Sequence, residues 1–74
     1  MINPTRLTEP DKGKWVKYTE YFGAKPQFGR IKSWNDKLIF VVYSCNNEWD
    51  RYQDFTGEGT PPNRLKFKQN DEKI

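Results

Sequence analysis

The chain has 74 residues, 34% of them hydrophobic and 16% aromatic, so it holds one domain in which a few large rings supply much of the buried area. Its formal net charge of +3 permits binding to a polyanion without requiring it. The absence of histidine and the presence of a single cysteine, Cys45, exclude an intramolecular disulfide and a metal site built from several cysteines.

The first part of the chain predicts an irregular lead-in followed by a strand. Prolines interrupt residues 1–12, which are therefore expected to lack regular structure. Residues 14–18 then alternate in character, as a strand with two different faces does. Val16 and Tyr18 are expected on one face and Trp15 on the other.

Residues 29–43 predict a β-hairpin. The pair Asn35-Asp36 suits a tight turn, because such side chains hydrogen-bond their own backbone. The β-branched and aromatic run at 38–43 is typical of a strand buried on much of both faces. Alternation in the first arm places Ile31 and Ser33 on one side and, on the other, Arg30, Lys32 and Trp34.

The second half predicts a long aromatic loop and two short strands. The loop covers residues 46–54, whose spacing fits either a single helical turn or the start of a strand. Strands are expected at 54–58 and 64–68, separated by two prolines that cannot donate hydrogen bonds to a sheet. Residues 69–74 are expected to form a frayed tail.

Five short strands in this order predict an all-β fold, a small five-stranded SH3-like barrel over residues 13–68. Four motifs carry a resemblance: Gly13-x-Trp-Val-x-Tyr18, Gly29-Arg-Ile-Lys-Ser33, Phe40-Val-Val-Tyr43 and Thr60-Pro-Pro-x-x-Leu65. Together they resemble small phage and prophage proteins with a Tudor- or KOW-like barrel, over about residues 13–67. The resemblance implies the barrel and a phage or prophage origin, but no particular activity.

Location follows from what the chain lacks. No apolar run approaches the roughly 18 residues that a membrane-spanning helix needs. The N-terminus also has no apolar core like that of a signal peptide. The expected location is the cytoplasm, that of the host cell if a phage encodes the protein, with no membrane partner.

The residues do not favour catalysis. A nucleophilic Cys45 would have no histidine base, and a structural cysteine at a strand end is the simpler interpretation. Asp50 and Asp54 beside Glu48 could form a carboxylate pair for hydrolysis or Mg²⁺ binding, but they also fit a solvated acidic loop. The chain is therefore expected to be no enzyme and to use no cofactor.

The aromatic residues outnumber the places inside a small barrel. The interior is expected to take Val16, Tyr18, Ile31, Val41, Tyr43, Leu65 and Phe67. The rim and loops are then left with Trp15, Trp34, Trp49, Tyr52, Tyr21 and Phe22. These rings either contact a partner or pack as a second small core under the long loop.

Two classes of partner fit, and we favour a protein because the net charge is modest and the long loop is acidic. The predicted protein-binding residues are Trp15, Trp34, Trp49, Asp50 and Tyr52. The alternative is nucleic acid, bound by aromatic stacking and by Arg30, Lys32, Lys66 and Lys68. An aromatic cage for methylated lysine or arginine around Trp49, and self-association as a weak dimer, are further alternatives.

Overall fold

The computed structural model describes residues 2–20 and 23–69, and the predictions for Tyr21, Phe22 and residues 70–74 lie outside them. The described part contains five strands: β1 (Trp15–Tyr18), β2 (Gln27–Trp34), β3 (Ile39–Val42), β4 (Glu58–Thr60) and β5 (Leu65–Phe67). It also contains four 3-10 turns: Pro4–Arg6, Glu9–Asp11, Trp49–Asp54 and Pro62–Arg64.

The strands form one antiparallel sheet in the order β4-β3-β2-β1-β5. This confirms the prediction of an all-β fold. Strands β4 and β5 are the two edges, and the sheet does not close between them. In the β2–β3 turn, Oδ1 of Asn35 accepts the backbone N–H groups of Lys37 and Leu38 at 2.8 and 2.7 Å. The expected side-chain support of this turn is therefore present.

A β-bulge in β2 changes which side chains face inward. Ile31 pairs with Val41, but Trp34 pairs with Ile39, so β2 has one residue more than β3 between these two pairs. An extra residue reverses the alternation beyond it. The prediction that Trp34 lies on the side opposite Ile31 was wrong for this reason, since Trp34 packs against the same inner cluster.

The inner face of the sheet carries the main hydrophobic core, which we call the inner cluster. Its buried members are Ile2, Val16, Ile31, Ile39, Val41 and Leu65. Tyr18, Tyr43, Leu7 and Trp34 pack against it. Ile2 comes from the N-terminal lead-in, where its backbone N–H donates to the carbonyl oxygen of Pro62 at 3.3 Å. The lead-in therefore contributes to the core as well as preceding it.

Two predictions about the second half were wrong. The fourth strand, expected at 54–58, occupies Glu58–Thr60 because Phe55 packs instead against the outer face of the sheet. Phe67 was placed inside the barrel, but its side chain is 39% exposed. It faces the same side as Val16, yet it lies on an edge strand where no further strand covers it.

The close approach of β2 and β3 requires glycine at position 29. A Cβ on Gly29 would lie 2.5 Å from the carbonyl oxygen of Val42 and 2.6 Å from Cγ1 of Val41. Both distances are far below van der Waals contact. Close packing therefore explains why glycine occupies the first position of the Gly29-Arg-Ile motif.

Candidate interaction surface

The long loop folds back onto the outer face of the sheet and forms a second hydrophobic cluster, the outer cluster. Val42, Cys45 and Tyr52 are buried in it, and Trp49 and Phe55 pack against them. The chain enters the turn Trp49–Asp54 through two asparagines in the left-handed region, Asn46 (φ 54°) and Asn47 (φ 64°). Asparagine tolerates this conformation better than most residues, which explains the reversal of the chain there.

Arg30 connects this turn to the sheet. Its Nε donates to the carbonyl oxygen of Gly13 at 2.7 Å, and its Nη1 donates to that of Trp49 at 3.0 Å. The guanidinium carbon lies 4.6 Å from the ring centre of Tyr52 and 5.7 Å from that of Trp15. A planar guanidinium suits this combination of stacking and directed hydrogen bonds. Arg30 thus joins three segments of the chain.

Gly13 fits tightly against this arginine. Its φ of +86° is in the region that favours glycine, and a Cβ there would lie 2.9 Å from the Tyr52 hydroxyl oxygen. The Gly13 N–H also donates to the carbonyl oxygen of Ile31 at 2.8 Å. The residue therefore extends the β1–β2 pairing and accepts the Arg30 hydrogen bond at the same place.

The structure does not assemble the predicted basic stripe. The Nζ of Lys32 donates to the carbonyl oxygen of Phe55 at 2.6 Å, so Lys32, like Arg30, holds the outer turn in place. Lys66 and Lys68 belong to β5 and its end, and β5 pairs with β1 rather than with β2. The four residues therefore divide into two that support the fold and two that lie at the sheet edge.

The predicted protein-binding residues fall into two groups: Trp34 lies apart from the other four. The rings of Trp15 and Trp49 lie 4.6 Å apart with an interplanar angle of 59°, and both are half-buried. Tyr52 is buried in the outer cluster with Trp49 packed against it, and Asp50 is exposed on the same turn. Trp34 is separated from this group because it faces the inner cluster, with the Nζ of Lys12 5.9 Å from its ring centre.

The feature that the pattern did not reveal is Phe67 with its neighbours at the β5 edge. Phe67 is the one exposed large hydrophobic residue among residues 2–20 and 23–69. A groove of about 380 Å³ runs between Lys14, Trp15, Phe67 and Lys68, which we call the β5-edge surface. No local pattern in the sequence marks this feature, because the order of the strands in the sheet makes β5 an edge strand.

Phe67 also borders a second groove, of about 400 Å³, on the inner side of the sheet. Ile2 and Leu7 of the N-terminal segment form its apolar lining, and Lys14 lies between the two grooves. The Nζ of Lys14 is 5.5 Å from the Phe67 ring centre. One exposed ring therefore borders two grooves, a mixed one beside Ile2 and Leu7 and one where Trp15 lies between lysines.

Charge is distributed unevenly around these grooves. Lys17 pairs directly with Lys66 across β1 and β5, which adds positive charge beside the β5-edge surface. Asp11 is the nearby acid, and its carboxylate lies 2.8 Å from the Nζ of Lys14. The hydrogen bond from Lys14, together with that from the Thr8 backbone, lowers the pKa of Asp11 below 3.8.

Three further acids, Glu48, Asp50 and Asp54, lie at the outer turn. Arg51 forms ion pairs with Glu48 at 3.7 Å and with Asp54 at 3.2 Å. Residues 2–20 and 23–69 contain no group of three or more Cys, Asp and Glu side chains that could hold a metal ion. The same part of the chain has no helix long and apolar enough to span a membrane.

The hydroxyl of Tyr43 ties β3 to β4 at the opposite edge of the sheet. The hydroxyl oxygen lies 2.8 Å from Oγ1 of Thr60. The ring of Tyr43 meets the ring of Tyr18 edge-on, with 6.1 Å between the ring centres. Burial raises the pKa of Tyr43 above 10.0, although the hydrogen bond with Thr60 opposes that shift. These contacts join β3 to β4, and β4 is an edge strand of the sheet, as β5 is.

Comparison of the chain with protein-family models, with curated proteins and with solved structures finds no match.

Proposed function

We propose that the protein is a non-enzymatic interaction module that binds a protein partner through the β5-edge surface. The observation that carries this proposal is the exposure of Phe67 between Trp15 and two lysines. Aromatic side chains at such positions bury large areas on binding and are enriched in interface hot spots. The motif resemblance supports a phage or prophage origin, with the cytoplasm of the host cell as the place of action.

We further propose that the sheet is a partly open SH3-like barrel. Three observations support this proposal. The inner cluster draws buried side chains from β1, β2, β3 and β5, and Ile2 packs with them. The short turn Pro62–Arg64 links the two edge strands.

The outer cluster has a supporting role in this proposal. Trp49 and Tyr52, both predicted to contact the partner, contact Trp15 and Arg30 within this chain. They fix the orientation of Trp15, whose remaining exposed part faces the groove with Phe67 and Lys68. A ring that is already fixed loses little conformational entropy on binding.

The test is site-specific photo-cross-linking in the cells that produce the protein. The photoreactive residue p-benzoylphenylalanine replaces Phe67 in one variant and the exposed Lys37 of the β2–β3 turn in a control. We expect a protein adduct of defined mass from position 67 that resists nuclease and is absent from position 37. Adducts that nuclease removes, or equal adducts from both positions, would contradict the proposal.

Single-stranded nucleic acid is the second candidate, because Lys14, Lys17, Lys66 and Lys68 surround two aromatic rings. Stacking on aromatic rings within a basic groove is how many proteins bind single strands. Fluorescence titration with oligonucleotides at increasing salt separates the two candidates. Micromolar affinity that weakens steeply with salt would favour nucleic acid over a protein partner.

A further inference from the structure

The hydrogen-bond register of β5 leaves part of its backbone facing outward. The Lys68 N–H donates to the carbonyl oxygen of Trp15 at 3.0 Å, and the Thr19 N–H donates to that of Arg64 at 3.2 Å. Bonds between antiparallel strands alternate, so residues 64, 66 and 68 direct their main-chain groups toward β1. Phe67 therefore directs its N–H and its carbonyl group toward the open edge.

Leu65 differs from Phe67 although it has the same orientation. Its outward N–H already donates to the carbonyl oxygen of Pro62 within the 3-10 turn. The open stretch thus begins at the Leu65 carbonyl group and continues through Phe67, with no neighbouring strand in the described sheet. Such an edge can accept another extended segment by main-chain hydrogen bonding.

The two grooves beside Phe67 define which side chains such a segment would carry. Successive residues of a strand point to opposite faces. One set would enter the inner groove, where Ile2, Leu7 and Phe67 offer apolar contacts beside the polar side chains of Asn3, Arg6, Asp11 and Lys14. The other set would lie on the outer face beside Lys66 and Lys68. The pattern that matches both is an alternation of apolar and acidic residues.

The charges also distinguish a partner from a second copy of this chain. Pairing of two β5 strands would bring Lys66 and Lys68 of one copy close to those of the other. Like charges opposed across a strand pair are destabilising, and edge lysines are a known protection against self-pairing. The same lysines favour an acidic strand.

We infer that β5 accepts, as a sixth strand, an extended segment of a protein partner in which apolar and acidic residues alternate. This inference rests on the proposed function and names its mode of recognition. Main-chain hydrogen bonds to Phe67 supply the pairing, and the two grooves select the side chains.

The test uses a capped synthetic peptide of alternating Phe and Glu and follows amide hydrogen exchange by NMR. In the free protein, the outward Phe67 N–H should exchange fast, and the Lys66 N–H, which faces β1, should exchange slowly. Saturating peptide should slow exchange at Phe67 by about tenfold or more and leave Lys66 nearly unchanged. Neighbouring residues thus supply the internal control.

Two matched comparisons separate strand addition from simple adhesion. The same peptide with N-methyl groups on the residues that face β5 should lose about tenfold or more in affinity, because it cannot donate to the edge. Lys68→Glu should weaken binding of the unmodified peptide by a similar factor, whereas Lys37→Glu in the distant turn should not.

Several results would overturn the inference. The first is an exchange rate of the Phe67 N–H that does not change at millimolar peptide. The second is an affinity for the N-methylated peptide, or for a peptide with Lys in place of Glu, that equals the affinity for the original peptide. The third is a stable dimer of the protein alone. If Phe67 cross-links a protein in cells while its amide exchange does not respond, strand addition fails and the proposed function remains. If no nuclease-resistant adduct forms, the proposed function itself fails.

Discussion

The inner and outer clusters of this protein are stabilised in different ways. Aliphatic side chains of four strands and Ile2 form the inner cluster, and each is at most 4% exposed. The outer cluster has three buried residues, and its turn is held by hydrogen bonds from Arg30 and Lys32 to main-chain carbonyl groups. Burial of apolar area stabilises the inner cluster, whereas hydrogen bonds from two cations hold the outer cluster in position.

The outer cluster shows that cations on a strand need not indicate an anionic ligand. Arg30 and Lys32 lie on the outer face, as their alternation predicted, but their charged groups bind carbonyl oxygens of this chain. A loop without regular strand pairing leaves carbonyl groups that need donors. At the β5 edge, the Nζ of Lys68 likewise donates to the carbonyl oxygen of the adjacent Gln69, at 3.1 Å, but this contact is exposed.

The largest expected effect is the loss of packing in the inner cluster. Ile31→Ala should lower the free energy of unfolding by about 2–5 kcal/mol, because Ile31 is fully buried. Cys45→Ala in the outer cluster should cost about 1 kcal/mol, since it removes a single sulfur atom from a buried site. Urea denaturation of both variants measures the difference.

If Ile31→Ala does not fold, Ile31→Val keeps the comparison measurable, with an expected cost of about 0.5–1.5 kcal/mol. If Cys45→Ala lowers the free energy of unfolding by more than Ile31→Ala does, the prediction that the inner cluster contributes more to stability is contradicted.

The next effect concerns Arg30. Arg30→Lys should lower the free energy of unfolding by about 1–3 kcal/mol, because an ammonium cannot reach both Gly13 and Trp49 while stacking on Tyr52. Tryptophan fluorescence should shift toward that of exposed indole as the turn loosens. The control is Arg51→Lys on the same turn, whose exposed ion pairs should change stability by less than about 0.5 kcal/mol.

A smaller effect tests Tyr43, which packs against the inner cluster. Its pKa in the folded state is raised above 10.0 by burial, so the folded protein holds the phenolic proton more tightly than the unfolded chain. The resulting stability is fully present below pH 10.0 and is lost as the pH rises through the folded-state pKa. Denaturation at increasing alkaline pH should show this loss, and Tyr43→Phe should reduce it.

The smallest effect lies outside both clusters, at Asp11. Its hydrogen bonds with Lys14 and Thr8 lower its pKa below 3.8, so its contribution to stability is present above that value and is lost as the pH falls through the folded-state pKa. An NMR titration of the Asp11 carboxyl group should show the lowered pKa. Lys14→Gln should move that pKa back toward 3.8, whereas Lys37→Gln should not.

The features that depend on neighbouring residues could be predicted from the sequence alone. Alternation and β-branched content located β1, β2 and β3, and the side chain of Asn35 supports the predicted turn. The buried positions Val16, Ile31, Val41 and Leu65 followed from the same alternation. These features rest on the period of a strand and on local hydrogen bonding, both of which can be recognised without the fold.

The other features depend on contacts between segments that are distant in sequence. The bulge that turns Trp34 inward depends on how β2 pairs with β3, and the position of β4 depends on Phe55 packing on the outer face. The exposure of Phe67 depends on β5 being the last strand of the sheet. Register, edge position and the carbonyl group that a cation reaches are set by segments distant in sequence, so no local pattern encodes them.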